Sequence, residues 1–499
     1  MKIMMVNSNQ NKIPVPSMPF GLCLVSSSLE TAGHEVHFLD LCFSKKTTRD
    51  IDNAVKKFQP DVIGVSVRNI DTVSWLDTLF HLNSVKENVI IPLKNVFSGP
   101  IVIGGTAVGI IAAEMLGFFD LEYAIRGDGE AAIVEFVNRL EKKESLKGLG
   151  GLTWRKNGKI IEENPPLWVK DLDSLTLSNP HQYLELKAYK KFKAPIQVQT
   201  KRGCALKCTY CAYNVIEGDN YRLRDPKLVA DEIEKLQKET GSNHFEFSDS
   251  TFNIPLDHSK SVLKSIIDKK LNNLNLRTMG LNPGTIDEEF ADLMKKAGFK
   301  DVEVGVEAGC NKMLKVLGKN FTKDDIFKTA RILRKINMPT MWYLLTGAPG
   351  ETKETLKETF EAINKAVSKW DLVVVLNGIR VNKGTLLAKQ FLEENPHGTD
   401  DNFLHPVFYE PKGLRLEELR VFNKRIGLKY SNYIFPEEYQ RLPTFALRIQ
   451  TAIMRTFAPN TPWWKFNILM RKIQKITGIN TMKRLLYWFK DRNLSRKYN

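Results

Sequence analysis

The sequence predicts an α/β protein of several domains, and three observations carry that reading. The 499 residues are too many for one core, and at about 150 residues per domain they predict roughly three. Two long stretches alternate short runs of Val, Ile and Leu with helix-length segments, the pattern of parallel sheets covered on both faces. Hydrophobic content of 42% with 26% charged residues is ordinary for a globular chain and excludes a mostly disordered one.

Residues 1–145 form the first alternating series. Lys2–Val6, Glu35–Leu39, Val62–Val67, Ile101–Ile103 and Tyr123–Ile125 read as strands, with helices at Gly21–Ala32, Arg49–Phe58 and Glu130–Lys142. This predicts a doubly wound parallel sheet, which binds ligands beyond the carboxyl ends of its strands. Ser66 closes the third strand, Gly104-Gly105 follow the fourth and Arg126-Gly127-Asp128-Gly129-Glu130 the fifth. Ser66, Gly104, Gly105, Gly127 and Glu130 are therefore candidate cofactor contacts, since glycine lets a bulky ligand approach the backbone. Tight glycine turns also occur in any doubly wound domain, so the pattern alone does not name a cofactor.

Residues 146–195 read as a hairpin and linker. Asn157-Gly158 is a two-residue turn within Gly151–Glu163, and Pro165-Pro166 and Pro180 punctuate the linker. A second series spans 196–390, with strands at Ile196–Thr200, His244–Ser248, Leu274–Thr278, Val302–Val306, Met341–Leu345 and Leu372–Leu376. Helices at Asp225–Thr240, Ile286–Ala297, Lys323–Ile336 and Thr352–Ser368 intervene. About six βα units suit a complete or partial parallel barrel with its chemistry at the carboxyl ends of the strands. Residues 391–499 read as a helical C-terminal region.

Six cysteines are sparse, and three lie within eight residues, directly after the first barrel strand: Cys204-Ala205-Leu206-Lys207-Cys208-Thr209-Tyr210-Cys211. Such usage points to a reducing cytosol and a metal site, against a secreted disulfide framework. Zinc would call for a fourth ligand, and the nearest candidates are His181 and His244. Three thiolates can instead hold three irons of a four-iron cluster and leave the fourth open.

Here the chain resembles the radical S-adenosylmethionine (SAM) enzymes, whose signature is three cysteines at this spacing with an aromatic before the last, as Tyr210 is. The resemblance implies a 4Fe-4S cluster held by Cys204, Cys208 and Cys211. It also implies SAM chelated at the open iron and cleaved by one electron to methionine and a 5′-deoxyadenosyl radical. The segment His244–Asn253 resembles the family's second-strand motif with Asp249 as its acid, Ser250 replacing a second one. Gly305-Val306-Glu307-Ala308-Gly309 resembles the fourth-strand motif, whose glutamate lies near the ribose hydroxyls. Gly347-Ala348-Pro349-Gly350-Glu351-Thr352 resembles the turn after the fifth strand and reads equally as a helix start.

The first domain resembles the cobalamin-binding domain fused to many radical SAM enzymes, through Val6-Asn7, Phe20-Gly21-Leu22, Ala32–Val36, Gly104-Gly105 and Arg126–Glu130. The DxHxxG element that supplies an axial histidine elsewhere is absent. The resemblance therefore implies a corrin held without histidine, His34 and His37 being ordinary loop and strand residues.

The formal charge of +16 is not spread evenly: residues 441–499 carry +12 and leave +4 for the rest. Within 463–489, Trp463, Trp464, Leu469, Ile473, Ile476 and Trp488 alternate with basic residues. A basic amphipathic helix with tryptophans suits an anionic membrane surface; docking of its apolar face onto the barrel and RNA binding are the alternatives, RNA the least favoured. The combined reading is a cytoplasmic enzyme with peripheral contact at the inner face of the membrane. It would take electrons from a flavodoxin or ferredoxin type of donor and methylate an unactivated carbon of a lipid, isoprenoid or other secondary metabolite. A cobalamin-dependent cyclase is the runner-up. RNA methylthiotransferases need three further N-terminal cysteines, and only Cys23 and Cys42 precede residue 200.

Overall fold

A computed structural model describes residues 1–12, 15–177, 179–271, 273–396, 403–436 and 462–477. The first strand, β1 (Lys2–Asn7), pairs in parallel with β2 (Glu35–Asp40) on one side and β3 (Val62–Ser66) on the other. Beyond β3 lie β4 (Ile101–Gly104) and β5 (Tyr123–Ile125), giving the order β2-β1-β3-β4-β5. Because side chains alternate along each strand, Met4, Val6, Ile63, Val65 and Ile103 pack on one face. Ile3, Met5, Val62, Val102 and Ile125 pack on the other. The first face is covered by helices α2 (Thr47–Phe58) and α3 (Thr106–Phe119), the second by α1 (Phe20–Thr31) and α4 (Gly129–Lys142). The doubly wound parallel sheet is thus the one the alternation predicts.

The hairpin differs from its assignment to a connecting segment. Its strands, β6 (Leu152–Lys156) and β7 (Lys159–Glu163), join the edge of this sheet through antiparallel pairing of β6 with β5. The edge strand thereby gains a partner, which sequence periodicity cannot reveal.

The second unit is a partial barrel. Strands β8 (Ile196–Val198), β9 (His244–Phe247) and β10 (Asn275–Thr278) form one parallel group. Strands β11 (Val302–Glu307), β12 (Thr340–Thr346), β13 (Leu372–Asn377) and β14 (Tyr433–Ile434) form another. Isolated bridges at Leu276–Phe299 and Leu281–Val304 connect the two. β14 lies in a region the sequence marks as helical, and two residues are too few to carry a period.

Outward-facing Val198, Phe245, Leu276, Val304, Trp342 and Val375 share one core with the surrounding helices. The alternate residues Met341, Leu372, Val374 and Ile434 instead form a separate cluster with Trp464 and Ile468 of the C-terminal helix α5 (Trp463–Thr477). By alternation, α5 covers the face turned away from the helices, the inside of the barrel. Trp464 is 1% exposed, and Arg471 donates to the Tyr433 carbonyl. This part of the tail docks on the barrel; among the described side chains of the apolar stripe, Leu469 and Ile473 are exposed. The side chains of Trp463 and Ile476, and all of Trp488, lie outside the described residues.

Candidate active site

The cysteine loop leaves β8 and is anchored on both sides. Thr209 donates its N–H to Leu317 O at 3.0 Å, and Asn214 donates to the carbonyls of Cys204 and Leu206. All three cysteines are free thiols: Cys204 is buried, and Cys208 and Cys211 are partly covered. Burial pushes Cys211 up to about 12 and raises Cys208 also, while the Lys319 cation pulls Cys208 back. Thiolates in this pocket need positive charge, which irons supply. Among the described residues no three His, Cys, Asp or Glu side chains are grouped around a single point. The zinc alternative loses its fourth ligand as well, because His181 pairs with Glu239 and His244 faces Asn275.

Around Cys208 stands a compact polar group. Tyr210 donates its hydroxyl to Glu307 Oε1 at 3.1 Å. Lys319 Nζ lies 2.8 Å from Glu307 Oε2, 3.1 Å from the Tyr210 oxygen and 3.6 Å from Cys208 Sγ. Glu307 has φ 55°, a left-handed conformation that costs a non-glycine residue about 1–2 kcal/mol and marks a held position. Tyr210 and Glu307 are therefore brought together beside the cysteines. Sequence alone does not single out Lys319. Its only signal is its place after the helix that follows the Glu307 motif.

Asp249 is placed differently from the cofactor contact that the resemblance implies. It is 1% exposed and accepts from Thr200 N–H at 2.8 Å, Thr200 Oγ1 at 2.6 Å and Lys201 Nζ at 3.2 Å. With its lone pairs so engaged, it braces the turn that leads into the cysteine loop.

The candidate residues of the first domain separate into two groups. Ser66 and Gly104 lie side by side at the carboxyl ends of β3 and β4, and a Cβ on Gly104 would meet only Ile125 O at 3.9 Å. Exposed Gly105, Thr106 and Arg68 border the same opening, a cradle fit for the edge of a large planar ring. Gly105 and Gly127 are constrained by their own backbones: added Cβ atoms would lie 2.7 Å from Val67 O and 2.4 Å from Leu167 O. Glu130 turns away from the opening and pairs with Arg202, two residues before Cys204, at 2.5 Å. Arg202 also meets Asp128 at 3.0 Å, and Arg222 joins the same carboxylate. His34, which precedes β2, contacts Asn138 and the Met1 amino group, and His37, the third residue of β2, lies against Phe58.

The two domains meet at the cysteine loop. A Cβ on Gly109 of α3 would lie 3.7 Å from Ile216 Cα, just beyond the cysteines. Burial, then Glu217 and Cys211, push the Tyr213 phenol up while Arg68 pulls it down, which sets the first domain and the cysteine loop around one ring.

Comparison with known proteins agrees with this layout. The B12 binding domain family matches residues 10–137, and the Radical SAM superfamily matches residues 198–363. The chain is a cobalamin-dependent radical SAM enzyme. Its cofactors are cobalamin, SAM and a 4Fe-4S cluster. This radical SAM enzyme is 28% identical over 453 residues to the tryptophan 2-C-methyltransferase of Streptomyces laurentii, covering 77% of this chain and 74% of that one. It is 25% identical over 333 residues to the hopanoid C-3 methylase of Methylococcus capsulatus, covering 64% and 60%. The anaerobic magnesium-protoporphyrin IX monomethyl ester cyclase of Cereibacter sphaeroides is 24% identical over 357 residues, covering 68% and 55%. Among solved structures, the radical SAM methyltransferase TsrM from Kitasatospora setae, with tryptophan and a SAM analog bound, superposes with a TM-score of 0.73. That match has 25% identity and covers 82% of this chain and 80% of TsrM.

Proposed function

We propose that this enzyme transfers a methyl group to an unactivated carbon of a lipid or isoprenoid acceptor. The observation that carries the reading is the contact of α3, the helix after Gly104-Gly105, with the segment just beyond the cysteines, where Gly109 faces Ile216. When bound, the cluster, SAM and the corrin supply a substrate radical and a transferable methyl group. Cys204, Cys208 and Cys211 would hold three irons. Tyr210 and Glu307 would seat the SAM nucleoside, one carboxylate serving two ribose hydroxyls. Ser66, Gly104 and the Gly105 turn would border the corrin, and the Glu130–Arg202 pair would keep the two sites facing each other with water excluded.

Methyl transfer is favoured by methyltransferases among the relatives, and a lipid acceptor by the hopanoid methylase among them and by the basic tail. Saturated hydrocarbon offers no acidic proton, which is where radical chemistry is required. The cyclase among the relatives supports a second reading, oxidative ring closure. Incubation of the reconstituted enzyme with lipid extract, SAM and a flavodoxin or ferredoxin donor separates them by product mass. Gain of one methylene supports methyl transfer; loss of hydrogen or gain of oxygen supports cyclisation. The RNA methylthiotransferase reading finds no second cluster site in Cys23 and Cys42, which are fully buried in the core.

Membrane contact belongs to the same proposal. It is supported by the +12 charge of residues 441–499 and by exposed Leu469 and Ile473 near Lys465 and Lys472. Since Trp464 is buried against strands β12 to β14, the test uses surface variants rather than truncation. The intact protein should float with anionic liposomes at low salt, and Leu469→Asn/Ile473→Asn should float less. Equal flotation would remove these two residues from the contact, and no flotation of the intact protein would remove the contact itself.

A further inference from the structure

We infer that Lys319 and Glu307 are positioning residues that set the reduction potential of the cluster through Cys208. The inference rests on Cys208 being a cluster ligand. Lys319 is 8% exposed at its side chain, and its ammonium is aimed at three groups: Glu307, the Tyr210 hydroxyl and Cys208 Sγ. A buried lysine is costly unless paired, and Glu307 supplies the pairing. That carboxylate is itself 14% exposed and held on a left-handed backbone. The result is one positive and one negative charge side by side in a low-dielectric pocket, the positive one touching the sulfur.

Cluster potentials respond to hydrogen bonds at the sulfurs and to nearby charge. Reduction adds one electron, so a cation donating N–H to Cys208 Sγ favours the reduced state and a neighbouring carboxylate opposes it. The pair also joins two tasks. Glu307 and Tyr210 are the proposed nucleoside seat, so a ligand that competes for Glu307 would release Lys319 toward the sulfur and make the cluster easier to reduce. Binding of SAM and acceptance of the electron would then be linked through two side chains.

The two charges give opposite predictions, which a packing defect would not. In the reconstituted protein, a redox titration followed by electron paramagnetic resonance reads the midpoint potential without turnover. Lys319→Met should lower the reduced-to-oxidised ratio at a fixed poise about tenfold, a shift of about 59 mV to more negative potential for one electron. Glu307→Gln should shift the midpoint to more positive potential, and Lys319→Arg should stay near the parent value. Iron content accompanies each measurement. Shifts of the same sign in Lys319→Met and Glu307→Gln, or no shift in either, would overturn the inference. Should Lys319→Met hold no iron, Glu307→Gln decides alone: a positive shift supports the pairing, and none or a negative one refutes it. Retention of cluster iron by Cys208→Ala would instead sink the ligand assignment on which the inference stands.

Discussion

Cys204, Cys208 and Cys211 differ from the other cysteines in where they point. Cys23, Cys42 and Cys310 are buried among core side chains, whereas Cys208 and Cys211 lie by Tyr210, Lys319 reaches Cys208, and Cys204 lies near both of the other loop cysteines. Alanine at any of the three should remove cluster iron and reductive cleavage of SAM, while Cys23→Ala, Cys42→Ala and Cys310→Ala should keep both. Iron analysis and the 5′-deoxyadenosine yield check this. Glu351 carries a second prediction at this scale. It is 4% exposed, and burial pushes its carboxyl up to about 7, although the Gly347 and Ala348 N–H groups it accepts pull it down. The folded state thus holds this proton where the unfolded chain, near 4.5, has lost it. Its contribution is full below pH 4.5 and falls as pH rises toward 7, by about 3 kcal/mol over that interval. Glu351→Gln should flatten this slope in thermal melts of the apoprotein at pH 5 and pH 7.5. The sequence made the cysteines legible because their spacing is local. It could not show that Asp249 is saturated by Thr200 and Lys201, or that Lys319 reaches Cys208 from 111 residues away, since such pairings exist only once the strands are aligned.

Strands and helices were legible wherever their period was long enough. β1, β3 and β4 are continuous apolar runs because both of their faces are covered, and α4 ends where Lys143 takes the left-handed region. The two-residue β14 and the addition of β6 to the sheet edge escaped, the first for want of length and the second because edge pairing leaves no periodic trace. The topology itself yields a prediction. The proposed corrin cradle is at the carboxyl ends of β3 and β4, whereas His34 precedes β2 and His37, its third residue, lies against Phe58, so neither is placed to ligate a corrin there. Electron paramagnetic resonance of the cob(II)alamin form should show no protein-nitrogen splitting; a splitting lost in His34→Ala or His37→Ala would refute this placement. At the other end of the chain, α5 packs Trp464 and Ile468 against Met341, Leu372, Val374 and Ile434. Trp464→Ala should cost about 3–5 kcal/mol as a cavity substitution. It should also free the C-terminal helix, seen as faster limited proteolysis near residue 462 with the barrel core intact.

At the level of the whole molecule, the domains are joined by buried charge. Asp71, in the loop after β3, pairs with Arg380, just beyond β13, at 2.9 Å, both side chains being 2% exposed. Asp128 and Glu130 do the same with Arg202 and Arg222. Removing one member of such a pair strands its partner in low dielectric at about 3–5 kcal/mol, more than a surface contact costs. Arg380→Ala should therefore split thermal unfolding of the apoprotein into two steps, the first domain separating before the barrel melts. A single unchanged transition in calorimetry would show that the interface is held by other contacts. The same pairs have a consequence for protein engineering. A cobalamin module cut from this chain and grafted onto a foreign barrel would arrive with three acids, Asp71, Asp128 and Glu130, facing an apolar wall. Functional chimeras should have to carry the matching arginines across with the module, so the unit of exchange is larger than the folded domain.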